Sequence, residues 1–166
     1  MSEIKIEEYN PRWKEIFEQE ANILSSIFKE KELVIEHIGS TAVVGLAAKP
    51  IIDIMIGFKK LDTNEIVRKI EKLGYEHWYE DTFRHERLFF TKWKTGKKER
   101  LIHIHATTID NNFWKNQILF REKLRENPEL AKKYAEIKKE LAIKFKDNRD
   151  GYTEAKTGFI RNALSQ

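Results

Sequence analysis

LVIEHIGST at residues 33–41 and IIDIMI at residues 51–56 are two short runs rich in β-branched residues, and they decide the fold. Each run has the length and composition of a strand, and the first leads directly into a glycine turn. A strand that ends in Gly39 and Ser40 lets the backbone approach a ligand closely, and free N–H groups at the start of a short helix favour phosphate. The pair therefore predicts two successive strands with a phosphate-binding turn between them.

Alternation along the second strand separates two faces with different roles. Ile52, Ile54 and Ile56 lie on one face, whereas Asp53 and Met55 lie on the other. We expect the isoleucine face to pack on helices and Asp53 to face a ligand. A role as a salt-bridge partner or capping acceptor is the alternative for an isolated aspartate on a strand.

The flanking sequence predicts the remaining strands and helices. An alternating stretch at residues 4–8 predicts an edge strand, and Asn10-Pro11 opens a helix that we expect to end near Glu30. The other predictions are a helix at 62–73, strands at 75–79, 87–93 and 100–107, and helices at 111–126, 129–146 and 151–164. The predicted fold class is α+β, in which a mixed sheet is packed by helices and carries a C-terminal cap of three helices. One domain at residues 1–166 accounts for the whole chain.

A strand with two histidines supplies further candidates for the site of Asp53. Alternation in residues 101–105 places His103 and His105 on one face and isoleucines on the other. If this strand neighbours the 51–56 strand, both imidazoles converge on Asp53. Two imidazoles and one carboxylate suit Zn²⁺, Mn²⁺ or Fe²⁺, while imidazoles without a metal can contact phosphate. The alternative is that His103 and His105 are exposed or hydrogen-bonded strand residues with neither role.

Cations recur within apolar rows of the predicted C-terminal helices. Lys138 and Lys156 each lie in such a row, the second beside Tyr152, and Arg121 lies in a third. A cation on a packing face either extends its charged end to water or meets an anion. With Lys49 these side chains predict an anion pocket where the sheet meets the cap. Arg84, His85 and Arg87 lie in a loop before a strand and are further candidates for reaching the site.

Composition narrows the partners that the chain is expected to bind. The chain has 166 residues, no cysteine and a formal net charge of +4. It therefore has no disulfide framework, thiolate metal site or cysteine nucleophile. The N-terminus lacks the apolar segment of a signal peptide, and no apolar run approaches the roughly 18 residues of a membrane span. We therefore predict a cytoplasmic protein without a membrane partner, whose basic excess suits an anionic small molecule and, less well, RNA.

The motifs described above resemble the signature of the GrpB family. The resemblance is carried by His37–Val43, by Gly45–Pro50 with Asp53 after it, by Leu101–His105, by Phe120–Arg125 and by Tyr152–Lys156. It implies a fold of the nucleotidyltransferase-like superfamily. Val44 stands where the family commonly has proline, which loosens the loop without touching the chemistry.

Met55 is the departure that bears on the chemistry. Many relatives have a second carboxylate at this position, and two carboxylates on one strand face can hold a pair of Mg²⁺ ions. A thioether is a soft ligand that does not hold Mg²⁺. Glu36 and Glu99 are the candidates for a replacement oxygen.

The sequence and the resemblance together predict a metal-dependent enzyme of nucleotidyltransferase type that acts on a nucleotide or phosphometabolite. The predicted catalytic residues are Asp53, His103 and His105, with Asp53 binding Mg²⁺ or Mn²⁺. The predicted phosphate or nucleotide ligands are Gly39, Ser40, Thr41, Lys49, Arg121, Lys138, Tyr152 and Lys156. The alternative is a non-catalytic nucleotide-binding or accessory module. The resemblance links that alternative to coenzyme A metabolism, because in some bacteria a similar domain is fused to dephospho-coenzyme A kinase.

Overall fold

The structure is a computed structural model that describes residues 5–81, 83–93 and 100–165. Apart from the edge strand expected at residues 4–8, the predicted order of strands and helices is confirmed. The helices are α1 (Arg12–Ile27), α2 (Thr63–Glu71), α3 (Asn112–Glu126), α4 (Pro128–Lys144) and α5 (Arg149–Leu164). The strands are β1 (Leu33–Ile38), β2 (Ile52–Phe58), β3 (Glu76–His77), β4 (Leu88–Trp93) and β5 (Arg100–Thr108), with a 3₁₀ turn at Ser40–Ala42 after β1.

The strands of the described ranges form one mixed sheet in the order β1-β2-β5-β4-β3. β2 and β5 are parallel neighbours, and the other pairs are antiparallel. A parallel pair requires a long connection, which here contains α2, β3 and β4. Because the pair is parallel, the first residues of β2 and β5 lie side by side, with Asp53 opposite His103.

The isoleucine face of β2 packs into the main core, as predicted. Ile52, Ile54 and Ile56 are at most 1% exposed and cluster with Leu24 of α1 and Ile66 of α2. Burying a side chain of this size stabilises the fold by about 1.5–3 kcal/mol. A separate cluster joins the cap helices to the connector after the 3₁₀ turn; it contains Val43, Leu46, Phe120, Leu124, Tyr134 and Ala163. The cap therefore has a core of its own.

The starts of four helices are fixed by side-chain caps. Asp62, Asn111, Asn127 and Asn148 each accept a hydrogen bond from a backbone N–H of the helix that follows. The cap at Asn148 begins α5 at Arg149, two residues before the predicted start. In the described part of the chain, no helix is both long enough and apolar enough to cross a membrane.

Several predicted elements differ from those in the structure. In place of an edge strand at residues 4–8, the described residues form a single antiparallel bridge between Glu7 and Ala48, because the facing segment is an irregular connector rather than a strand. β3 is limited to Glu76–His77 because the chain turns at Tyr79. Helix α1 ends at Ile27 rather than near residue 30, since Phe28 leaves the helix and packs into the core, where it is 1% exposed.

Candidate functional site

Asp53 lies at the start of β2 beside two histidines of β5. The parallel register sets Asp53 opposite His103, and strand alternation brings His105 to the same face. Asp53 Oδ1 lies 3.1 Å from His103 Nδ1 and 3.2 Å from His105 Nε2. One potential ligand atom from each residue lies within 4.8 Å of the others. The sequence predicted that these three side chains converge if their strands are neighbours, and the structure makes the strands neighbours. We name the three side chains the Asp53 cluster.

Gly39 closes over the second oxygen of Asp53. Its backbone has φ 73° and ψ −173°, a combination that is essentially restricted to glycine. A Cβ atom at this position would lie 2.7 Å from Asp53 Oδ2. The absence of a side chain therefore lets the turn rest against the carboxylate.

Ser40 connects the same turn to the helical cap. Lys138 of α4 donates from Nζ to Ser40 Oγ at 2.9 Å and also to the carbonyl oxygen of Ala47. Lys138 is only 2% exposed. Burial, followed by repulsion from Lys156 and Lys139, lowers the pKa of Lys138 to about 7. Lys138 is thus a buried amine beside the turn.

Two further lysines lie over the ring of Tyr152 in α5. The Nζ atom of Lys49 is 4.0 Å from the ring centroid, and that of Lys156 is 5.5 Å from it. Burial raises the pKa of the Tyr152 phenol to about 12. Burial also lowers the pKa of Lys156, and the charge of Asp53 partly offsets that effect. We name Lys49, Lys138 and Lys156 the lysine cluster.

Two members of the lysine cluster, Lys138 and Lys156, have no carboxylate within ion-pair distance among the described residues. A partly buried cation is unfavourable unless it is paired or hydrogen-bonded, and a charge-assisted hydrogen bond to an oxyanion satisfies both needs. The arrangement is therefore suited to holding an anion next to Ser40.

Two of the predicted phosphate ligands have hydrogen-bond partners within the protein. Thr41 is 3% exposed, and its Oγ1 lies 3.0 Å from His37 Nε2 and donates to Ile51 O at 3.4 Å. Arg121 donates from Nη1 to Glu36 Oε2 at 2.6 Å and to His37 O at 2.8 Å. Both side chains hold the turn and β1 in place.

The position of the second carboxylate is occupied by a packed methionine. Met55 is 0% exposed. Glu36 lies opposite Met55 in the register of β1 and β2, but its carboxylate is bound to Arg121. Glu99, the other candidate, lies outside the described residues. In the part of the chain that the structure describes, the metal-ligand group around Asp53 contains no second acid.

Arg87, just before β4, reaches the Asp53 cluster from the side of His105. Its Nη1 atom forms a hydrogen bond with His105 Nδ1. Its Nε and Nη2 atoms donate to the two carboxylate oxygens of Asp81 at 3.1 and 3.0 Å. Of the three loop candidates, Arg84 and His85 are exposed and Arg87 is buried. The sequence offered a signal for Arg87, namely its position in a loop before a strand, but none for its partner Asp81.

A cavity of about 870 Å³ adjoins the turn. It lies between α1, the edge of β1 and the first residues of α4, and Thr41 and Ala47 line it. Its volume falls within the range of small-molecule pockets, roughly 300–1,000 Å³. The carbonyl of Ala47, which accepts a hydrogen bond from Lys138, makes this wall of the cavity a neighbour of the lysine cluster.

The chain is similar to known proteins over nearly its full length. The sequence model of the family described as "GrpB protein" matches residues 3–166. "Glutamate-rich protein GrpB" of Alkalihalophilus pseudofirmus is 30% identical over 99% of this chain and 95% of that protein. The UPF0157 protein PA4798 of Pseudomonas aeruginosa is 35% identical over 95% of this chain and 64% of that protein. The UPF0157 protein YqkA of Bacillus subtilis is 33% identical over 93% of this chain, which spans 44% of that longer relative.

A solved structure has the same fold. The crystal structure of conserved protein GrpB from Enterococcus faecalis matches with a TM-score of 0.81 at 36% sequence identity. The match covers 97% of this chain and 98% of that one. It supports the α+β fold described above, while the placement in the nucleotidyltransferase-like superfamily stays a prediction. Sequence and structure agree over nearly the full length, and the chain belongs to the GrpB family.

Proposed function

We propose that this chain binds a nucleotide or another phosphorylated metabolite, with a phosphate group held between Ser40 and the lysine cluster. The observation that carries the proposal is Lys138, a lysine that is 2% exposed yet has no carboxylate partner among the described residues. Lys49 and Lys156 add charge next to the ring of Tyr152, with their Nζ atoms 4.0 and 5.5 Å from its centroid. A phosphate would offset the desolvation of these amines through charge-assisted hydrogen bonds, and Ser40 Oγ would add a hydroxyl contact.

Removing the charge of either Lys138, which is buried, or Lys156, which is half-buried, is expected to weaken phosphate binding by about tenfold or more, since a hydrogen bond to a charged group contributes about 1.5–3 kcal/mol. The variants are Lys138→Met and Lys156→Met, which keep the length of the apolar stem. Binding is measured by calorimetric titration of ATP and of pyrophosphate in the presence of a chelator.

Lys133→Met is the matched control, because Lys133 lies on the same helix as Lys138 and is exposed. It is expected to bind ATP as the wild type does. If Lys138→Met and Lys156→Met also retain wild-type affinity, the phosphate does not lie at the lysine cluster. If the wild type binds neither ATP nor pyrophosphate at millimolar concentration, the proposed class of ligand is wrong.

Binding is also expected to weaken as the pH rises above neutrality. The pKa of Lys138 is about 7 in the free protein, so the amine loses its charge as the pH increases from there. The terminal phosphate of ATP, with a pKa of about 6, is already ionised in that range. The affinity of the wild type should therefore fall by about tenfold between about pH 7 and pH 9. The slope should disappear in Lys138→Met; a wild-type affinity that stays constant with pH would contradict the role of Lys138.

A metal-dependent enzyme of nucleotidyltransferase type is the second candidate function. The convergence of Asp53, His103 and His105 favours it, because their ligand atoms lie within 4.8 Å of one another. One carboxylate with two imidazoles suits Zn²⁺, Mn²⁺ or Fe²⁺ better than a pair of Mg²⁺ ions. Release of pyrophosphate from ATP that requires a divalent cation and is lost in Asp53→Asn would support this candidate. Binding of ATP without turnover would favour an accessory module instead.

A further inference from the structure

We infer that Arg87 makes the Asp53 cluster a metal-free site, in which His105 is held as a hydrogen-bond donor to Asp53. Only what it implies for the form of the ligand rests on the proposed function; the protonation of the histidines does not depend on it. Three observations support it: the hydrogen bond of Arg87 to His105, the burial of the guanidinium, and the geometry of His103.

The hydrogen bond of Arg87 determines which nitrogen of His105 carries the proton. A guanidinium has donors only, so His105 Nδ1 must be the acceptor of the bond from Arg87 Nη1. The imidazole proton then lies on Nε2, which is 3.2 Å from Asp53 Oδ1 and donates to it. A metal-binding histidine needs a lone pair on the nitrogen that faces the metal, and its other nitrogen donates to a carboxylate, carbonyl or water. Arg87 imposes the reverse arrangement.

His103 also donates a hydrogen bond to Asp53, for a different reason. Its Nδ1 atom lies 3.1 Å from Asp53 Oδ1, and its Nε2 atom is buried without a hydrogen-bond partner in the described part of the chain. A buried N–H without a partner is rarer in proteins than a buried acceptor without one. The proton of His103 is therefore best placed on Nδ1, where it donates to Asp53. One carboxylate oxygen thus accepts from two imidazoles.

Arg87 also supplies the positive charge that a cation would otherwise supply. Its side chain is 8% exposed and is held by Asp81 on the side away from the cluster. The rings of Phe83, Phe89 and Phe113 lie 5.4, 4.4 and 5.2 Å from the guanidinium carbon and fix its position. A divalent cation on Asp53 would face this guanidinium across a single imidazole, and the two like charges would repel each other at low dielectric.

Without a metal, Asp53 acts as a hydrogen-bond acceptor for the ligand. Asp53 Oδ1 is occupied by the two imidazoles, and Oδ2 lies beside the Gly39 turn. Asp53 is thereby positioned to accept a hydrogen bond from a hydroxyl or amino group of the ligand. The site would take a phosphate ester as the free anion, not as its magnesium complex.

The protonation of the histidines can be measured without any ligand or variant. Long-range ¹H–¹⁵N NMR spectra of the wild-type protein distinguish the two tautomers of each neutral imidazole. We expect His105 to carry its proton on Nε2 and His103 to carry its proton on Nδ1. A wild-type His105 protonated on Nδ1 would overturn the inference. This outcome is independent of whether ATP binds, so it is distinguishable from failure of the proposed function.

Metal titration tests the same inference through a gain of binding. Mn²⁺ and Zn²⁺ are titrated into the wild type and into the double variant Arg87→Met/Asp81→Asn, which removes the buried cation together with its partner charge. Arg84→Met, an exposed arginine of the same loop, is the control. We expect weak binding to the wild type and the control, and binding to the double variant that is about tenfold tighter or more, which corresponds to about 1.4 kcal/mol. Micromolar binding to the wild type with shifted His103 and His105 resonances would refute the metal-free site.

Discussion

Gly39→Ala is expected to abolish ATP binding and to lower the free energy of unfolding by about 1–3 kcal/mol, the cost of placing a residue with a side chain in this backbone region. The backbone of Gly39 has φ 73° and ψ −173°. The new methyl group would meet Asp53 Oδ2 at 2.7 Å, so either the turn or the carboxylate must move. Movement of either one separates Ser40 from Asp53 and displaces the phosphate position. Urea denaturation and calorimetric titration measure the two effects.

Gly45→Ala separates the clash from the cost of the backbone conformation. Gly45 also has a positive φ, 81°, but a Cβ atom there would have no neighbour within 4 Å. We expect Gly45→Ala to lose stability through the backbone alone and to bind ATP with nearly wild-type affinity. If Gly39→Ala also keeps its affinity, the contact between the turn and Asp53 is not part of the ligand site.

Arg121→Met is expected to lower the free energy of unfolding by about 2–3 kcal/mol, somewhat less than the loss of one partner from a fully buried ion pair. The change leaves Glu36 Oε2 and the carbonyl of His37 without the donor that now binds them at 2.6 and 2.8 Å. Because Glu36 is 33% exposed, water can satisfy part of its carboxylate. We expect the affinity for ATP, measured on the folded fraction, to stay close to that of the wild type.

Arg125→Met is the comparison for this experiment. Arg125 lies one turn along α3, is 41% exposed and donates to the carbonyl of Ala42 at 2.8 Å. Its loss is expected to change stability by about 1 kcal/mol or less. If Arg121→Met is as stable as the wild type but loses ATP affinity, Arg121 is a phosphate ligand, as the sequence suggested, and its ion pair with Glu36 is secondary.

The polar face of the sheet could be predicted because it depends on local rules. Strand alternation alone separates Asp53 from Ile52 and Ile54, and the same rule puts His103 and His105 on one face. The apolar rows of α4 and α5 similarly indicated that Lys138 and Lys156 lie on packing faces. Each of these features depends on residues that are close in sequence.

The partners of these side chains could not be predicted, because they depend on pairing between distant segments. The parallel pairing of β2 with β5 joins Asp53 to residues 50 positions later, and no local pattern specifies which strand becomes the neighbour. Likewise, Ser40 and Lys138 are 98 positions apart. The direction of Thr41, which turns inward to His37, depends on how α1 packs over β1. Periodicity indicates which way a side chain points but not what it meets there.

Helices α4 and α5 pack in a hydrophobic cluster separate from the main sheet core, so they can loosen without opening it, whereas α3 also packs on the sheet through Phe113 against Ile38 and Met55. Near the turn, the apolar contacts of Val43 and Leu46 with the cap are joined by a polar link, in which the amine of Lys138 donates to Ser40 and Ala47. A phosphate bound there would touch both parts and join them. Release of the ligand would then require α4 and α5 to move away from the turn. The dissociation rate would depend on how often they do so more than on the shape of the pocket.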